Sequence, residues 1–532
     1  MKGPATVAFA LAPFTAAKQL VWPSKFDYLE DLQHNQNGYN KFGFNDALVT
    51  CSFGNGVKGR QNSAEWIRTA FHDAVTHDAK AGTGGLDASI FWETDRAENP
   101  GDAWANTFSF FSGFHNQRAS AADLIALGTV AATEGCGDGI RIPFRAGRID
   151  AVKPGPSGVP EPSTNLKETF AAFTKAGFTK EDMTAMVACG HALGGVHSVD
   201  FPDVTGIKAD PNNDTSVPFQ KDVSQFHNGV VTEYLDGTTK NPLVVAKNNT
   251  LNSDKRIFDN DRATMKKLAT KEGFNTICAD VFARMIDTVP KSVQLSDVIS
   301  PYDVKPYITE LSLNSKGKIV FKGSIRFLTT NGIRNGDDME VQLVYMGHNG
   351  KKTTVQATKA MWQGGASGSL SDTFTNFEFD TTIDAKSGIT KFWIKETNKS
   401  TKVSKSHNNQ NTGGYKVDDT VLYQIQESCM IGTQLPRAPM TVVAMVRDNR
   451  AKDPLTLKLV QKVDVKGTLV PKLQTEITNF KATGKKLNGF TAFKAQTKLF
   501  NQGSRFDIAL GGSPSVAGVQ FQAAIAMPDT CA

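Results

Sequence analysis

Apolar residues recur every three or four positions in much of the first 300 residues, and this spacing places them on one face of an α-helix. In the clearest case, Ile67, Phe71 and Val75 follow one another at four-residue intervals. A threonine followed by acidic residues at 179–182 is typical of a helix start. The pattern predicts helices in residues 62–75, 119–133 and 179–189, and one or two more in residues 260–287.

The pattern changes near residue 300, where apolar and polar residues begin to alternate in short runs separated by Gly and Asn. Such alternation is typical of strands with one buried face in an antiparallel sheet. The clearest runs are Lys318–Phe327, Met339–Tyr345, Thr390–Lys395, Thr441–Val446 and Leu455–Val463. Residues 300–306, which contain two prolines, are interpreted as a linker between the helical and strand-rich regions.

These patterns predict a multidomain protein. A mainly α domain is expected over residues 18–300, followed by an all-β, sandwich-like region that begins at residue 301. We favour two β units, one over residues 301–430 and another over residues 431–532, although the second could continue the first.

Composition and charge exclude several classes of protein. The chain of 532 residues has 39% hydrophobic and 21% charged residues, as a folded protein does, and a net charge of +6. It contains no dense Lys/Arg block, so we expect no nucleic-acid partner. No apolar run reaches the roughly 18–20 residues that would span a bilayer, so we expect no membrane-spanning segment.

The N-terminus has features of an export signal. Residues 1–17 begin with Met1-Lys2, continue with a mostly apolar run and end in small residues, as a signal peptide does; a frayed terminus or a misassigned start is the alternative. Glycosylation sequons begin at Asn213, Asn248 and Asn398. The six cysteines are an even number, as paired cysteines in an oxidising compartment would be. We therefore predict a secreted, disulfide-bonded glycoprotein.

Three clusters in the helical half carry chemically useful side chains. Arg68 and His72 share a helix face, where an imidazole base beside a fixed cation suits the cleavage of a peroxide bond. Gly84–Ser89 offers carboxylate and hydroxyl oxygens in a tight loop, which suits Ca²⁺. His191, among small residues at the end of an apolar helix, could ligate the iron of a flat cofactor. Each cluster alone could instead be structural: a solvated pair, a plain turn or a hydrogen-bonded core histidine.

Taken in order, the motifs R-x-x-F-H-D at 68–73, G-G-x-D-x-S at 84–89 and G-H-x-L-G-G-x-H at 190–197 resemble the haem peroxidase superfamily of plants, fungi and bacteria. The resemblance covers about residues 40–295. It is closest to the secreted fungal branch (class II and related hybrid types), because Phe71 stands where the intracellular branch has Trp. It implies a mainly α haem peroxidase fold, a haem b cofactor and H₂O₂ as oxidant.

The resemblance implies roles on the two sides of the haem. On the distal side, where peroxide binds, the catalytic pair falls on Arg68 and His72 and the distal aromatic residue on Phe71. The family's Asn that hydrogen-bonds the distal His, with a Glu six residues earlier, matches Asn99 and Glu93. These residues would fix the tautomer of His72 and raise its basicity.

On the proximal side, the resemblance places the iron ligand at His191. Its carboxylate partner falls on Asp254, which would accept the other imidazole N–H and stabilise the oxidised iron. Asp259 is the rival for this role, and His197 is expected not to bind the iron.

The resemblance also implies one distal Ca²⁺, held by Asp73, the Gly85 carbonyl, Asp87 and Ser89. A second, proximal calcium site of the secreted branches does not match this sequence. Ala192 replaces a Ser or Thr, and Gln220 and His227 stand where carboxylates are expected. We therefore predict that this second site is absent.

The cysteines divide evenly between the two halves of the chain. The resemblance implies a disulfide between Cys51 and Cys136. For Cys189, Cys278, Cys429 and Cys531, only the even number in each half suggests pairing, and a buried free thiol at Cys189 is the alternative.

The donor substrate is expected to be a small phenol. Manganese-oxidising members need acidic residues near a haem propionate, and the matching positions read Gln61, Glu65 and His197, with one carboxylate. A surface Trp used for bulky aromatic donors would fall near Met186. The resemblance thus implies an H₂O₂-dependent peroxidase that oxidises small aromatic reductants in two one-electron steps through a ferryl intermediate.

The alternative function is a cell-wall or polysaccharide-binding protein with a weak or vestigial haem domain. Its β region would contact the polymer through aromatic side chains, for which Trp362, Trp393 and Tyr415 are candidates, although each could equally be a core residue. The complete set of haem-site residues favours the enzyme.

Overall fold

A computed structural model of the chain describes residues 20–54, 59–432, 438–500, 503–511 and 518–531. The expected signal segment, residues 1–17, lies outside the described residues. The helices of the described part are α1 (Asp27–His34), α2 (Asn62–Ala74), α3 (Ala103–Phe111), α4 (Ala121–Cys136), α5 (Leu166–Lys175), α6 (Lys180–Gly190), α7 (Pro202–Thr205), α8 (Gly229–Leu235), α9 (Pro242–Val245), α10 (Ser253–Asn260), α11 (Arg262–Leu268) and α12 (Lys271–Ile286).

Most of the strands follow the last helix. The strands are β1 (Asn37–Gly38), β2 (Gly195–His197), β3 (Ser216–Pro218), β4 (Val304–Leu313), β5 (Lys318–Leu328), β6 (Met339–Met346), β7 (Lys352–Lys359), β8 (Ala366–Gly368), β9 (Thr373–Asp384), β10 (Lys391–Asn398), β11 (Ser404–His407), β12 (Tyr415–Lys416), β13 (Val421–Tyr423), β14 (Cys429–Met430), β15 (Ala438–Arg447), β16 (Leu455–Val463), β17 (Lys472–Asn479), β18 (Lys481–Leu487), β19 (Phe490–Leu499), β20 (Arg505–Leu510) and β21 (Gly518–Ala523). The protein is therefore multidomain, with a mainly α region followed by antiparallel sheets.

The helices predicted from apolar spacing are present as α2, α4, α6, α11 and α12. The start of α6 has a reciprocal cap: the Thr179 hydroxyl accepts from the Asp182 N–H at 3.1 Å, and the Asp182 carboxylate accepts from the Thr179 N–H at 2.9 Å. Short helices such as α7 and α9 span one turn and leave too few apolar repeats to be recognised in the sequence.

The first β unit is a sandwich, as the alternating runs predicted. One layer contains β4, β5, β9 and β8, and the other contains β7, β6, β10 and β11. Strand β7 joins the layers, because residues 352–357 pair with β6 whereas Thr358 and Lys359 pair with β9. Apolar side chains from both layers, including Phe321 and Phe379 of one and Leu343 of the other, form one buried core.

The second β unit has two smaller sheets. One contains β13, β14, β15, β18 and β19, and the other contains β16, β17, β20 and β21. Since β13 and β14 both pair with β15, the change from one unit to the next falls between Lys416 and Val421, earlier than the expected division at residue 430.

Residues 300–306 are not an exposed linker. Strand β4 already begins at Val304, and Tyr302 and Lys305 are 2% and 1% exposed. The reason is the N-terminal helix α1, which packs against this segment: the Tyr302 hydroxyl donates to the Asp27 carboxylate at 2.5 Å. The prolines that suggested a linker lie beside a buried interface between the helical and strand-rich halves.

A buried cluster of charges ties α1 to the sandwich. The Lys305 ammonium lies 2.7 Å from both the Glu30 and the Asp31 carboxylates, and the Arg326 guanidinium pairs with the same two residues. Although burial opposes ionisation, Arg326 and Lys305 lower the pKa of Glu30 to about 2. Removing one member of such a buried cluster typically costs ~3–5 kcal/mol because its partner is left uncompensated.

All six cysteines are paired. The disulfides join Cys51 to Cys136, Cys189 to Cys278 and Cys429 to Cys531. The first pair matches the expectation, and the second excludes a free thiol at Cys189. Within the described ranges, no helix is long and apolar enough to cross a membrane.

The three aromatic residues considered for polysaccharide contact differ in exposure. Tyr415 is a core residue, 3% exposed and stacked on Phe392 with ring centroids 5.0 Å apart. Trp393 is half-buried between the ammonium groups of Lys352 and Lys391. Trp362 is 67% exposed and is thus the one of the three that is open to a partner.

Candidate active site

A cavity lies between α2 and α6 in the helical half. One wall presents Arg68, Phe71 and His72 of α2, and His191, the C-cap residue of α6, lines the same cavity. The opposite face of α2 is buried in the core through Trp66, and this packing turns Arg68 and His72 towards the cavity. Further apolar side chains line it: Ile67, Phe173, Met186, Leu193, Phe219 and Leu243.

His72 is held by the expected asparagine. Its Nδ1 lies 2.8 Å from the Asn99 Oδ1, so Nδ1 carries the proton and Nε2 keeps its lone pair. The Asn99 Nδ2 donates in turn to the Glu93 backbone carbonyl at 3.0 Å. The Glu93 carboxylate does not reach Asn99; it accepts from the Gly155 N–H at 2.6 Å and pairs with Arg96. Glu93 therefore supports the site through its main chain.

Arg68 is fixed by the same short segment. Its Nη2 donates to the Pro100 carbonyl at 3.0 Å, next to the asparagine that holds His72. One stretch of main chain, residues 93–100, thus sets the positions of both the base and the cation, and the four-residue spacing on α2 places them on one face.

Trp104, at the start of α3, was not identified from the sequence. The Arg68 guanidinium lies over the indole at 4.6 Å, and the His72 ring centroid is 4.8 Å from the indole centroid. The indole N–H donates to the Asn99 carbonyl at 3.0 Å. Trp104 is 1% exposed and therefore packs against both distal residues and their support.

The environment keeps His72 neutral and Arg68 charged. Burial and the neighbouring Arg68 cation lower the pKa of His72 to about 3. Burial lowers the pKa of Arg68 to about 10, which still leaves it protonated at neutral pH. A neutral imidazole can accept a proton while the guanidinium stabilises a developing negative charge. The hydrogen bond to Asn99 raises the basicity of His72 as predicted, but burial and Arg68 outweigh it.

His191 is held through the corresponding ring atom. Its Nδ1 lies 2.8 Å from the Asp254 Oδ2, and the Asn241 Nδ2 donates to the same oxygen at 2.8 Å. Asn241 is 1% exposed, and its Oδ1 accepts from the Leu243 N–H at 2.8 Å, which fixes the orientation of the amide. Asn241 was not identified from the sequence. Phe219 stacks on the His191 ring with centroids 4.2 Å apart.

Asp259, the rival for the role of Asp254, and His197 both contact other residues. Asp259 accepts from the Tyr234 hydroxyl at 2.5 Å and pairs with Lys255 and Arg262, so it is not the partner of His191. The Nδ1 of His197 lies 2.5 Å from the Asp214 carboxylate.

The donor set fits haem iron. His191 Nε2 has no hydrogen-bond partner among the described residues, and the His191 side chain is 28% exposed to the cavity. With Nδ1–H given to a carboxylate, Nε2 keeps the lone pair that an iron ligand needs. The mostly apolar lining suits a flat organic ring, and His72 with Arg68 lines the same cavity.

The residues expected to hold a distal calcium lie together. The Asp73 carboxylate accepts from the Ser89 hydroxyl at 3.3 Å and from the N–H groups of Ala88 and Ile90. Asp87 accepts from the Ser89 N–H at 3.1 Å. Burial and the neighbouring Asp87 raise the pKa of Asp73 well above its usual range. Gly85 is buried beside them, its N–H 3.5 Å from the Thr76 hydroxyl.

Gln220 gives a physical reason for expecting no proximal calcium. Its Nε2 lies 2.7 Å from the Ala192 carbonyl, 2.8 Å from the Asp222 carbonyl and 3.1 Å from the Gln225 carbonyl. Gln220 is 2% exposed. A neutral amide donor therefore meets carbonyl oxygens that would otherwise be available to a cation. At His227, the other substituted position, Nδ1 accepts from the Gly229 N–H and Nε2 lies 4.0 Å from the Asp222 carboxylate.

The positions that matched a manganese site do not form one. The Glu65 carboxylate pairs with Arg60 at 2.8 Å, and the Gln61 amide donates to the Val223 carbonyl at 3.0 Å. Met186, expected to replace a surface Trp, is 3% exposed. Throughout the part of the chain that the structure describes, no group of three or more His, Cys, Asp or Glu side chains is placed to hold a metal ion.

Several known proteins are similar to this chain in sequence. The family model described as "Peroxidase" matches residues 51–272. A WSC domain-containing protein of Arthroderma benhamiae is 32% identical over 538 residues, which cover 99% of this chain and 70% of that protein. L-ascorbate peroxidase 5, peroxisomal, of Arabidopsis thaliana is 31% identical over 208 residues, covering 39% of this chain and 67% of that protein. Manganese peroxidase 2 of Phlebia radiata is 30% identical over 177 residues, covering 31% and 43%.

We predict an acid limit for peroxide cleavage that depends on Arg68. Because only neutral His72 accepts a proton, the rate should hold as pH falls towards about 3 and decline below that value. Arg68→Leu removes the like charge that helps to lower the pKa of His72, so the limit should move to higher pH. It should stay below the ordinary ~6.5 because burial remains. Stopped-flow rates against pH on the haem-loaded protein measure the limit.

The low pKa of His72 also makes the free energy of unfolding depend on pH. A buried neutral His72 stabilises the fold fully above its unfolded pKa of ~6.5, and this stabilisation is lost as pH falls from ~6.5 towards the pKa of the folded state.

The control for the acid limit of peroxide cleavage is Arg262→Leu, a substitution on the surface of α11 that should not move the limit. An identical limit in the Arg68 variant would contradict the assigned coupling.

We predict that Trp104 positions Arg68. Trp104→Leu removes the ring beneath the guanidinium and the hydrogen bond to Asn99, and should slow peroxide cleavage by about tenfold. Trp104→Phe keeps an aromatic face and should lose about threefold. Both variants should still take up haem. Trp66→Phe, a buried substitution on α2 outside the cavity lining, is the control. A Leu variant with the wild-type rate would show that Trp104 only fills space.

Proposed function

Because this chain belongs to the plant, fungal and bacterial peroxidase superfamily, we propose that it is a haem-dependent peroxidase that uses H₂O₂ to oxidise small phenolic donors. One observation carries the proposal: two imidazoles line a single cavity, and each is fixed through Nδ1, so that both Nε2 atoms are free to act there. One imidazole has a carboxylate partner, as a metal ligand has, and the other has a neutral amide and a nearby guanidinium, as a base has.

The residues divide the work between the two walls. When bound, haem supplies the metal and the conjugated ring that store the oxidising equivalents of the peroxide. His191 would hold the iron through Nε2, with Asp254 increasing the negative character of the ring. His72 would take a proton from one peroxide oxygen at Nε2 and return it to the other, while Arg68 stabilises the charge on the departing oxygen.

We also propose that the protein is exported and that it binds one calcium ion on the distal side. All six cysteines are paired, which suits an oxidising compartment. Asp73 and Asp87 are close together and largely buried, and burial raises the pKa of each. A divalent cation between them would remove this penalty, and Ser89 and Gly85 offer the hard oxygen ligands that Ca²⁺ prefers.

The direct test uses full-length protein loaded with haem. We expect a Soret band and oxidation of guaiacol that depends on H₂O₂. His191→Ala should lose stable haem uptake, because the iron loses its protein ligand. Arg68→Ala should keep haem but slow peroxide cleavage by roughly 10²–10³-fold, the usual effect of losing one charge-stabilising donor. Absorption spectra and stopped-flow kinetics give the two readouts.

Two outcomes would contradict the proposal. If His191→Ala retained haem with an unchanged spectrum, the ligand assignment would be wrong. If the haem-loaded wild type failed to turn over any donor, the alternative of a polymer-binding protein with a vestigial haem domain would be favoured.

We predict that calcium stabilises the helical half. Ca²⁺ at about 100 times its Kd should raise the free energy of unfolding by about 2.7 kcal/mol, and a chelator should reverse the effect. Asp73→Asn should abolish the response, whereas Asp95→Asn, at an exposed position of the same region, should keep it. Thermal unfolding with and without Ca²⁺ measures this, and a wild type indifferent to Ca²⁺ would rule out the site.

A further inference from the structure

The active-site cavity is lined by more negative than positive side chains. Apart from Asp254, which is bound to His191, five carboxylates line it together with two guanidinium groups and no lysine among the described residues. The carboxylates are those of Glu65, Glu98, Asp102, Glu161 and Asp200, and the guanidinium groups are those of Arg60 and Arg68. The chain as a whole carries +6, so this negative lining is a local property of the cavity.

Most of the lining charges are already paired. Arg60 forms ion pairs with both Glu65 and Asp102, and these carboxylates neutralise its positive charge. Glu98 accepts from the Gly158 and Val159 N–H groups and lies 3.7 Å from a guanidinium nitrogen of Arg96. Arg68, which donates to the Pro100 carbonyl, is then the one of these two lining cations that has no ion pair with a described residue.

Asp200 and Glu161 are the two lining carboxylates that have no hydrogen bond or ion pair with any described residue, and of the two only Asp200 is half-buried, since Glu161 is exposed. The Asp200 carboxylate packs against Gly101, since a Cβ added to that glycine would lie 2.7 Å from Asp200 Oδ2. Asp200 therefore lies beside the segment that holds Arg68. Burial raises the pKa of Asp200 above its usual value, and the nearby Arg68 offsets only part of the rise. A half-buried carboxylate without a protein donor is available to a donor group on a substrate.

The carboxylates are spread along the cavity wall and are not clustered at one point where a single ion could bind. Within the described residues, no cluster of three or more carboxylate, imidazole or thiolate groups could hold a metal. Such a lining favours an extended organic molecule with a positive or neutral donor end over a small cation. The propionates of haem b would add negative charge to the same cavity.

We propose that this cavity selects neutral and cationic phenols over anionic ones, and that Asp200 is the specificity-determining residue. The proposal rests on the peroxidase function given above. An anionic donor would meet uncompensated carboxylates in a site of reduced dielectric constant, whereas a cationic donor would be attracted by them. An N–H or O–H group of the donor would also supply the hydrogen bond that Asp200 lacks.

The test compares three phenols with the same two-carbon side chain, which ends in an ammonium group in tyramine, in hydrogen in 4-ethylphenol and in a carboxylate in 3-(4-hydroxyphenyl)propionate. At low ionic strength we expect kcat/KM to fall in that order, with about a tenfold ratio between the cation and the anion. In about 0.5 M NaCl the ratio should approach one, because salt screens charges at a cavity mouth.

Asp200→Asn keeps the size and hydrogen-bonding capacity of the side chain but removes its charge, and should reduce the ratio to about threefold. The matched control is Asp203→Asn, an exposed position in the first turn of α7 that does not line the cavity. This control should leave the ratio unchanged. A ratio near one in the wild type, a preference for the anion, or no effect of Asp200→Asn would each overturn the proposal.

A binding measurement separates this proposal from the proposed function. Calorimetric titration of the haem-loaded protein with the same phenols should give the same order of affinity without any turnover. If the protein binds the phenols in this order but oxidises none of them, the peroxidase function fails and the selectivity stands. If it oxidises all of them equally and binds them equally, the selectivity fails and the peroxidase function stands.

Discussion

The structure depends on two histidines that are both anchored through Nδ1. For His72 the anchor is a neutral amide, and for His191 it is a carboxylate. Because each anchor uses the same ring nitrogen, both Nε2 atoms are left for chemistry in one cavity. The difference between the anchors supports the proposed roles: a carboxylate would enrich a ring that binds a metal, whereas an amide beside Arg68 would leave the other ring neutral and able to accept a proton.

The rest of the helical half keeps these anchors rigid. The segment 93–100 holds His72, Arg68 and Trp104 through one short stretch of main chain, so a shift of that stretch would displace all three together. On the other wall, Cys189 at the end of α6 is bonded to Cys278 of α12, close to the turn that carries His191. Precise placement of this kind matters because hydrogen-bond donors act on a reacting atom only at well-defined distances.

Local patterns were sufficient for the features that depend on local spacing. The helices around His72 and His191, the cap at Thr179 and the alternating strands of the sandwich follow from helical and strand periodicity. The resemblance favoured Asp254 and left Asp259 as a rival; the fold distinguishes them, because both carboxylates lie on α10 and only Asp254 contacts His191. Trp104, Asn241 and the burial of Lys305 were not predictable, because no fixed sequence spacing connects these residues to their partners. The prolines near Lys305 even suggested the opposite, an exposed linker.

The proximal wall shows how neutral amides can moderate a charged site. Asn241 donates to the same oxygen of Asp254 that receives the His191 N–H, so the two donors share the negative charge of one carboxylate oxygen. His191 therefore gains less anionic character than it would with Asp254 to itself. Gln220 likewise donates to the Ala192 carbonyl, next to His191, with an uncharged group. Neither amide titrates or dissociates as a bound cation can, so the contacts that Asn241 and Gln220 make beside His191 need no bound ion, in contrast to a distal loop that offers carboxylates to a cation.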